Sequence, residues 1–200
     1  NFLGRGDRLS FKADISGTNT RYNLSYTNPR FRDSQLSWGI DLFNWVTEYD
    51  DYDKGSKGGA IRFGYPLWEK WRWFGSYSFT DSQLSNISDT VSWLIVQSQD
   101  LEITSALNFS VSRDTRDRLT APTSGSRHQI SVKYAGGPLG GDAQFTKLEA
   151  STGWYFPLPW STVFHIKGAA GQIWENENDK LLVYERFFLE IGRASCRERV

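Results

Sequence analysis

The feature that most constrains this chain is a pair of long segments in which apolar and polar residues alternate. One covers residues 101–111 and the other residues 129–134, and a turn at residues 113–125 separates them. A period of two is the side-chain period of a β-strand, so the two segments are predicted to form an antiparallel hairpin. Its apolar face holds Leu107, Phe109, Ile130 and Val132, and its polar face holds Asn108, Ser110, Ser131 and Lys133.

The length of the first segment indicates the kind of hairpin. A strand of a soluble globular protein has roughly 5 to 6 residues, whereas a tilted membrane-spanning strand needs about 9 to 11. We therefore predict that the apolar face contacts lipid and that the polar face lines a wet lumen. The alternative is a soluble, carbohydrate-binding β-sandwich with its apolar face turned inward.

The composition fits the membrane alternative. No run of about 18 apolar residues is present, which excludes a transmembrane helix but not a barrel, since alternation lowers the mean hydropathy of a barrel strand. Aromatic residues make up 16% of the chain, with nine tryptophans, as expected where rings line two membrane interfaces. The balance of 23 basic and 23 acidic residues argues against a nucleic-acid surface.

The connectors between the predicted strands fall into two alternating classes. Every second connector carries proline and aromatic residues: Pro29, Phe31, Pro66, Trp68, Trp71, Pro122, Phe156, Pro157, Pro159 and Trp160. The others are predicted to be mostly longer, and two of them span residues 48–57 and 81–100. Because up-and-down strands place alternate connectors on opposite rims, we predict an antiparallel barrel sheet of about nine strands with one tight and one loose rim.

The predicted lumen face is densely charged with both signs. It would carry Lys12, Asp14, Arg21, Asp41, Arg62, Arg72, Glu102, Lys133, Lys147, Glu149 and Lys167. Such a face suits water and ion pairs between strands better than a dry core.

No catalytic, cofactor-binding or metal-binding residue is predicted. His128 and His165 are far apart in the sequence and have no neighbouring ligand residues, and the acidic residues at 51–55 lack the distal glutamate of a calcium loop. Neither a nucleophile elbow nor a phosphate-binding loop occurs. The chain is therefore not predicted to be an enzyme.

The turn at residues 113–125 is the most distinctive candidate site. Its charges alternate in sign at Arg113, Asp114, Arg116 and Asp117, while Pro122 and Gly125 can fix the return of the chain. We expect the four charged residues to tie one rim together by ion pairs, each of which contributes about 0 to 1 kcal/mol in exposed water. The predicted role of this turn is structural.

These residues also carry a family resemblance. The turn resembles the signature turn of the outer-membrane protein assembly factor superfamily, in its BamA-like, bacterial surface antigen branch. Segments at 1–6, 27–31, 65–67 and 83–86 resemble other pieces of that family in the same order, and Tyr184, Glu185, Arg186, Phe187 and Phe188 resemble the start of its long sixth external loop. The resemblance implies an all-β, up-and-down transmembrane β-barrel of sixteen strands, of which this chain would hold about nine.

The resemblance also implies a function and a location. Members of the BamA-like branch fold and insert other barrel proteins into the outer membrane of Gram-negative bacteria, without a cofactor, by strand addition at an open edge. The implied partners are the outer-membrane lipid bilayer, unfolded outer-membrane protein clients and accessory lipoproteins, with no nucleic acid. A polypeptide-secreting pore of the same superfamily, of the two-partner secretion or translocation type, is the alternative.

The two ends of the sequence carry separate expectations. The chain opens without a methionine, as an internal piece of a longer protein would. Residues 190–200 abandon the alternation for a burst of arginine around Cys196, and they are similar to a translated sequencing adapter. We therefore assign residues 1–189 to the partial barrel and expect residues 190–200 to be an artefact.

Overall fold

A computed structural model describes residues 6–49, 52–87, 102–159 and 162–176, together with Leu181. Within these ranges the chain forms one antiparallel sheet in which every strand pairs with its neighbours in sequence, in the order β1 to β9. The strands are β1 (Arg8–Ile15), β2 (Asn19–Asn28), β3 (Ser37–Glu48), β4 (Asp53–Trp68), β5 (Trp71–Ser85), β6 (Ile103–Asp114), β7 (Gly125–Ala135), β8 (Phe145–Leu158) and β9 (Thr162–Glu175). This confirms the predicted up-and-down sheet of nine strands.

The register keeps the two predicted faces separate across the sheet. Leu107 on β6 lies opposite Tyr77 on β5 and Tyr134 on β7, and Asn108 lies opposite Ser76 and Lys133. Since side chains alternate between faces along every strand, this register collects the apolar residues on one face and the polar residues on the other. The sequence alternation is therefore a property of the whole sheet and not only of the β6–β7 hairpin.

Burial in this sheet is the reverse of that in a soluble domain. Large apolar side chains on one face are exposed, among them Phe11 (67%), Leu107 (46%), Phe109 (49%) and Ile130 (57%). The buried apolar cluster is small and consists of Ala106, Ala135, Ala143, Phe145 and Leu181. Apolar surface on this scale needs a lipid environment. The sandwich alternative is wrong, because the described strands form a single sheet with no second sheet packed against it.

The polar face carries charged residues in the predicted places. Asp41 accepts hydrogen bonds from Ser25 Oγ at 2.6 Å and from Arg62 Nη2 at 2.9 Å, so that one carboxylate links β2, β3 and β4. Lys147 and Glu149 form a second ion pair at 3.4 Å, within β8. The expected ion pairs between strands are confirmed at Asp41.

The connectors alternate between two rims, but their lengths differ from the prediction. The ends of the strands define two rims. β2, β4, β6 and β8 end at the rim with proline and aromatic residues, at Asn28, Trp68, Asp114 and Leu158, whereas β1, β3, β5 and β7 end at the other rim, at Ile15, Glu48, Ser85 and Ala135. The first of these rims, here called the proline rim, is not uniformly tight. Its connectors at 29–36 and 115–124 are longer than those at 16–18 and 49–52, and internal hydrogen bonds such as Phe31 N to Leu36 O (2.8 Å) keep them compact.

The predicted loop at 48–57 is also shorter than expected. β4 already begins at Asp53 and pairs with Glu48 on β3 and Ser85 on β5. The glycine and lysine residues at 54–59 show no apolar alternation, but their backbone groups still complete the ladder. A Cβ atom on Gly58 would collide with the backbone of β5 and approach the ring of Phe43, so glycine is required for close strand approach there.

Several predictions fall outside the described residues. These include the segments at 1–5, 88–101 and 182–200, and with them the sixth-loop residues 184–188 and the adapter-like tail. In the part of the chain that is described, no helix is long and apolar enough to cross a membrane.

Candidate functional site: the β6–β7 turn and the adjoining lumen wall

The turn at residues 115–124 is closed at its base by Thr115 and Ser126. The Thr115 amide donates to the Ser126 carbonyl at 2.8 Å, and the Ser126 amide donates to Thr115 Oγ1 at 2.9 Å. Ser126 is only 5% exposed, and its hydroxyl lies 3.0 Å from that of Thr115. This double closure continues the β6–β7 ladder by one step through a side chain and fixes where the turn begins.

Asp114 and Arg116 form a two-point ion pair at this base. Arg116 Nε donates to Asp114 Oδ1 at 2.9 Å, and Arg116 Nη2 donates to Oδ2 at 2.7 Å. The Arg116 side chain is only 11% exposed, and this carboxylate, followed by the Tyr155 hydroxyl, raises the pKa of the Arg116 guanidinium. The pair therefore holds Arg116 in one orientation, toward the lumen wall.

Asp117 organises the outer part of the turn without a cation. Its Oδ2 accepts from Thr123 Oγ1 at 2.7 Å, and its Oδ1 accepts from the amides of Thr123 at 2.9 Å and Ser124 at 3.1 Å. These donors, with the Thr123 hydroxyl first, hold the pKa of Asp117 well below its ordinary value. The expected network of four paired charges is therefore wrong, since within the described turn only Asp114 and Arg116 pair with each other.

Gly125 occupies a position that other residues could adopt only with strain. Its φ is +101°, and an added Cβ atom would collide with the carbonyl oxygen of Thr115. The predicted use of Gly125 to supply a positive φ is confirmed. Pro122 lies within the turn. Arg113 lies opposite His128 on the outward face.

His128 belongs to a hydrogen-bonded chain on that outward face. Its Nε2 lies 3.0 Å from Ser126 Oγ, and its Nδ1 lies 2.8 Å from Thr152 Oγ1. The ring also contacts that of Trp154 edge to face, with 4.9 Å between centroids. The two histidines lie on opposite faces, and no group of three metal-ligating side chains occurs in the described part of the chain.

The lumen side of the turn borders two cavities that share Arg116 and Arg127. The first, of about 300 Å³, is lined also by Glu69, Lys70, Arg72, Phe74, Ser112, Asp114 and Leu119. The second, of about 370 Å³, extends along β7, β8 and β9 to Lys167. Both have polar, basic walls, as expected of a water-filled lumen.

Several residues of these cavities were not predicted from the sequence. Arg127 is absent from the predicted lumen residues, although it precedes Gln129 by two positions on the polar side of β7 and could have been found by extending the alternation. Gly153, Tyr155 and His165 carry no such signal. Their proximity to Arg127 depends on the register of β8 and β9.

Comparison with known proteins places this geometry in a family. The Omp85 superfamily domain matches residues 1–197. The chain is 31% identical over 189 residues to the outer membrane protein assembly factor BamA of Nitratidesulfovibrio vulgaris, and it is 22% identical over 202 residues to the mouse sorting and assembly machinery component 50 homolog. The match covers 94% of this chain and 24% of the first relative, and 98% of this chain and 42% of the second.

A solved structure has the same fold. The crystal structure of BamA from Haemophilus ducreyi lacking POTRA domains 1–3 superposes with a TM-score of 0.82 at 22% identity, covering 98% of this chain and 40% of that one. With the outward apolar face, these matches place the chain in the outer membrane of a Gram-negative bacterium. The chain belongs to the Omp85 superfamily, and its nine described strands form part of an outer-membrane β-barrel.

Proposed function

We propose that this chain is part of a barrel assembly factor that folds and inserts other barrel proteins into the outer membrane. The observation that carries the proposal is the sheet of nine sequence-adjacent strands with an exposed apolar face, in a chain 31% identical to a relative named as an assembly factor. We propose that client strands add to an open edge of the barrel of the whole protein, through backbone hydrogen bonds.

The partners we propose follow from the two faces. The apolar face contacts the outer-membrane lipid, the clients are unfolded outer-membrane proteins, and accessory lipoproteins bind the assembled complex. We propose no enzymatic step, cofactor or nucleic-acid partner. What supports this is that the relatives are named as assembly components, and that polar and charged side chains of the described lumen wall bond to one another.

Within this function we assign the β6–β7 turn an architectural role. The Asp114–Arg116 pair and the Asp117–Thr123 hydrogen bonds support this assignment, because they connect residues of the turn with each other. Arg113, Pro122 and Gly125 are assigned to the same element, and the segment at 184–188 is proposed as the start of a long external loop.

A reconstitution experiment tests the function. The full-length protein is placed in liposomes, and a urea-unfolded outer-membrane protein is added, with folding measured by heat-modifiable gel mobility. We expect faster client folding than in liposomes holding an unrelated barrel of similar size. Equal folding rates would contradict the insertase.

The same vesicles test the secretion-pore alternative. A protease added outside the vesicles separates a client that is inserted into the bilayer from a polypeptide that has passed into the interior. We expect membrane-inserted client with its loops accessible to the protease. Full protection of a soluble polypeptide would favour the pore. Relatives named as assembly components favour the insertase.

A further inference from the structure

The larger of the two lumen cavities at the proline rim is positively charged. Its floor is set by the register of three strands, in which Arg127 on β7 lies opposite Gly153 on β8, and Gly153 lies opposite Lys167 on β9. Neighbouring strands lie about 4.8 Å apart. Arg127 and Lys167 therefore lie on either side of Gly153, which has no side chain. The glycine leaves the space between Arg127 and Lys167 open.

The walls of this cavity are rigid on one side and polar on the other. Toward the rim, the rings of Tyr155 and His165 are stacked with 4.3 Å between centroids and 7° between planes. One step into the lumen, Gln129 and Ser151 face each other across β7 and β8. Stacked rings give a fixed wall, and the amide and hydroxyl groups can bind peptide N–H and C=O groups.

The charges that line the cavity are all positive. Arg116, Arg127 and Lys167 line it, and no carboxylate does. Arg116 forms an ion pair with Asp114, whereas Arg127 donates a hydrogen bond to the neutral Gln129 Oε1 at 3.3 Å. Arg127 interacts with Asp114 only at longer range, and neither Arg127 nor Lys167 makes an ion pair with any residue that the structure describes. The cavity thus presents two cationic groups on the lumen surface that are available to an anion.

The neighbouring cavity extends this positive surface along the rim. It shares Arg116 and Arg127 and adds Lys70 and Arg72, with Glu69 as its one acidic residue besides Asp114. A single small anion would leave most of this surface unused. An extended ligand that carries several carboxylates matches it better, since each exposed charge pair contributes little alone.

We propose that the two cavities form a binding site for acidic segments of polypeptide, with client carboxylates placed between Arg127 and Lys167 over Gly153. The inference rests on the proposed function, which supplies the polypeptide, and it adds the chemistry of the segment. Guanidinium and ammonium groups bind carboxylates by charge-assisted hydrogen bonds, and arginine does so in a two-point geometry. Gln129, Ser151 and Tyr155 bind the peptide backbone.

A binding measurement on the full-length protein in detergent tests the site without requiring insertion. Two fluorescent peptides of equal length are compared by anisotropy: one carries Asp and Glu, and the other carries Asn and Gln at the same positions. We expect binding of the acidic peptide alone, weakening with added salt. Arg127→Gln and Lys167→Gln should each weaken it about two- to fivefold, and the double variant about tenfold or more.

Two matched controls isolate the site from general charge and folding effects. Lys12→Gln removes a cation from the same face on β1 and should leave binding unchanged. Gly153→Asp places a carboxylate between the two cations and should abolish binding, whereas Gly153→Ala should retain it. An added Cβ atom at Gly153 would meet only His165 Nε2, at 3.5 Å, and Ile166 O, at 4.0 Å, so alanine fits without a clash. Heat-modifiable mobility verifies that each variant is folded.

The outcomes separate this inference from the proposed function. Equal binding of the two peptides, or unchanged binding by the Arg127 and Lys167 variants, would overturn the acidic-peptide site even if client insertion is normal. Competition by tripolyphosphate as strong as that by the acidic peptide would also overturn it, because the site would then take any polyanion. Specific peptide binding without client insertion would instead contradict the proposed function alone.

Discussion

Arg116 donates hydrogen bonds to both carboxylate oxygens of Asp114, from Nε at 2.9 Å and from Nη2 at 2.7 Å, where β6 ends and the turn begins. The pair is local, because it joins residues two positions apart, yet it fixes the direction of Arg116 toward the lumen cavities.

We predict that Asp114→Ala destabilises the folded barrel by about 1 kcal/mol, since it removes the carboxylate partner of a largely buried guanidinium. The temperature at which heat-modifiable mobility is lost should fall, and client insertion should fall only in proportion to the folded fraction. Normal barrel stability with a collapse of insertion per folded molecule would mean that the turn acts directly on clients or partners. Lys12→Ala is the matched control on the same face.

Asp117 should show an acid-shifted titration. Its pKa is lowered by hydrogen bonds from Thr123 and Ser124, so its contribution to stability is present above the unfolded-state pKa, near 3.8, and is lost as the pH falls through the lower folded-state pKa. Carboxyl carbon NMR of the full-length protein should therefore show Asp117 still ionised at pH 3.8. Thr123→Val should move the pKa toward its ordinary value, whereas Thr123→Ser should preserve the shift. An ordinary pKa in the unaltered protein would contradict the hydrogen bonds.

Gly125→Ala should destabilise the β6–β7 hairpin by at least about 1 to 2 kcal/mol, because alanine is strained at φ +101° and its Cβ would strike Thr115. Gly17→Ala is the matched control at a turn on the other rim, where an added Cβ has nothing within 4 Å. Thermal loss of heat-modifiable mobility measures both. Equal stability of the two variants would contradict the turn geometry.

The 200-residue chain expressed alone should aggregate when detergent is removed. Among the described strands, β1 and β9 each pair on one side only, and unpaired strand edges template further pairing. The exposed apolar face adds to this. Light scattering after detergent dilution measures the outcome, and a monodisperse, cooperatively folding monomer in plain buffer would contradict the membrane sheet.

Most of this fold could be predicted from the sequence, because the alternation of apolar and polar side chains indicates both the position and the length of a strand. β6 and β7 are the clearest case, since Leu107, Phe109, Ile130 and Val132 share one face as expected. The first half of β4 could not be predicted in the same way. Its glycine-rich residues pair with β5 through backbone hydrogen bonds, which the pattern of side chains does not predict.

The position of the candidate site in the chain could be predicted from the sequence, but its hydrogen bonds and its contacts across strands could not. The turn was identified from its alternating charges, and Gly125 from its backbone freedom. The hydrogen bonds of Asp117 to Thr123 and Ser124 join residues six and seven positions apart, so they depend on the conformation of the turn and could not be predicted from the alternation of charges. The juxtaposition of Arg127 with Lys167 depends on the register across three strands, which no local pattern contains.

The outward orientation of the apolar face can be tested by arginine substitution at Leu107 and at Asn108. The two residues are adjacent on β6, with Leu107 opposite Tyr134 on the outward face and Asn108 opposite Lys133 on the lumen face. Folding free energies of the full-length protein in lipid vesicles, measured by urea titration, give the two costs. We predict that Leu107→Arg costs about 2 to 4 kcal/mol for a site near the bilayer midplane and that Asn108→Arg costs far less. Equal costs, or a larger cost at Asn108, would contradict the assignment of the apolar face to lipid.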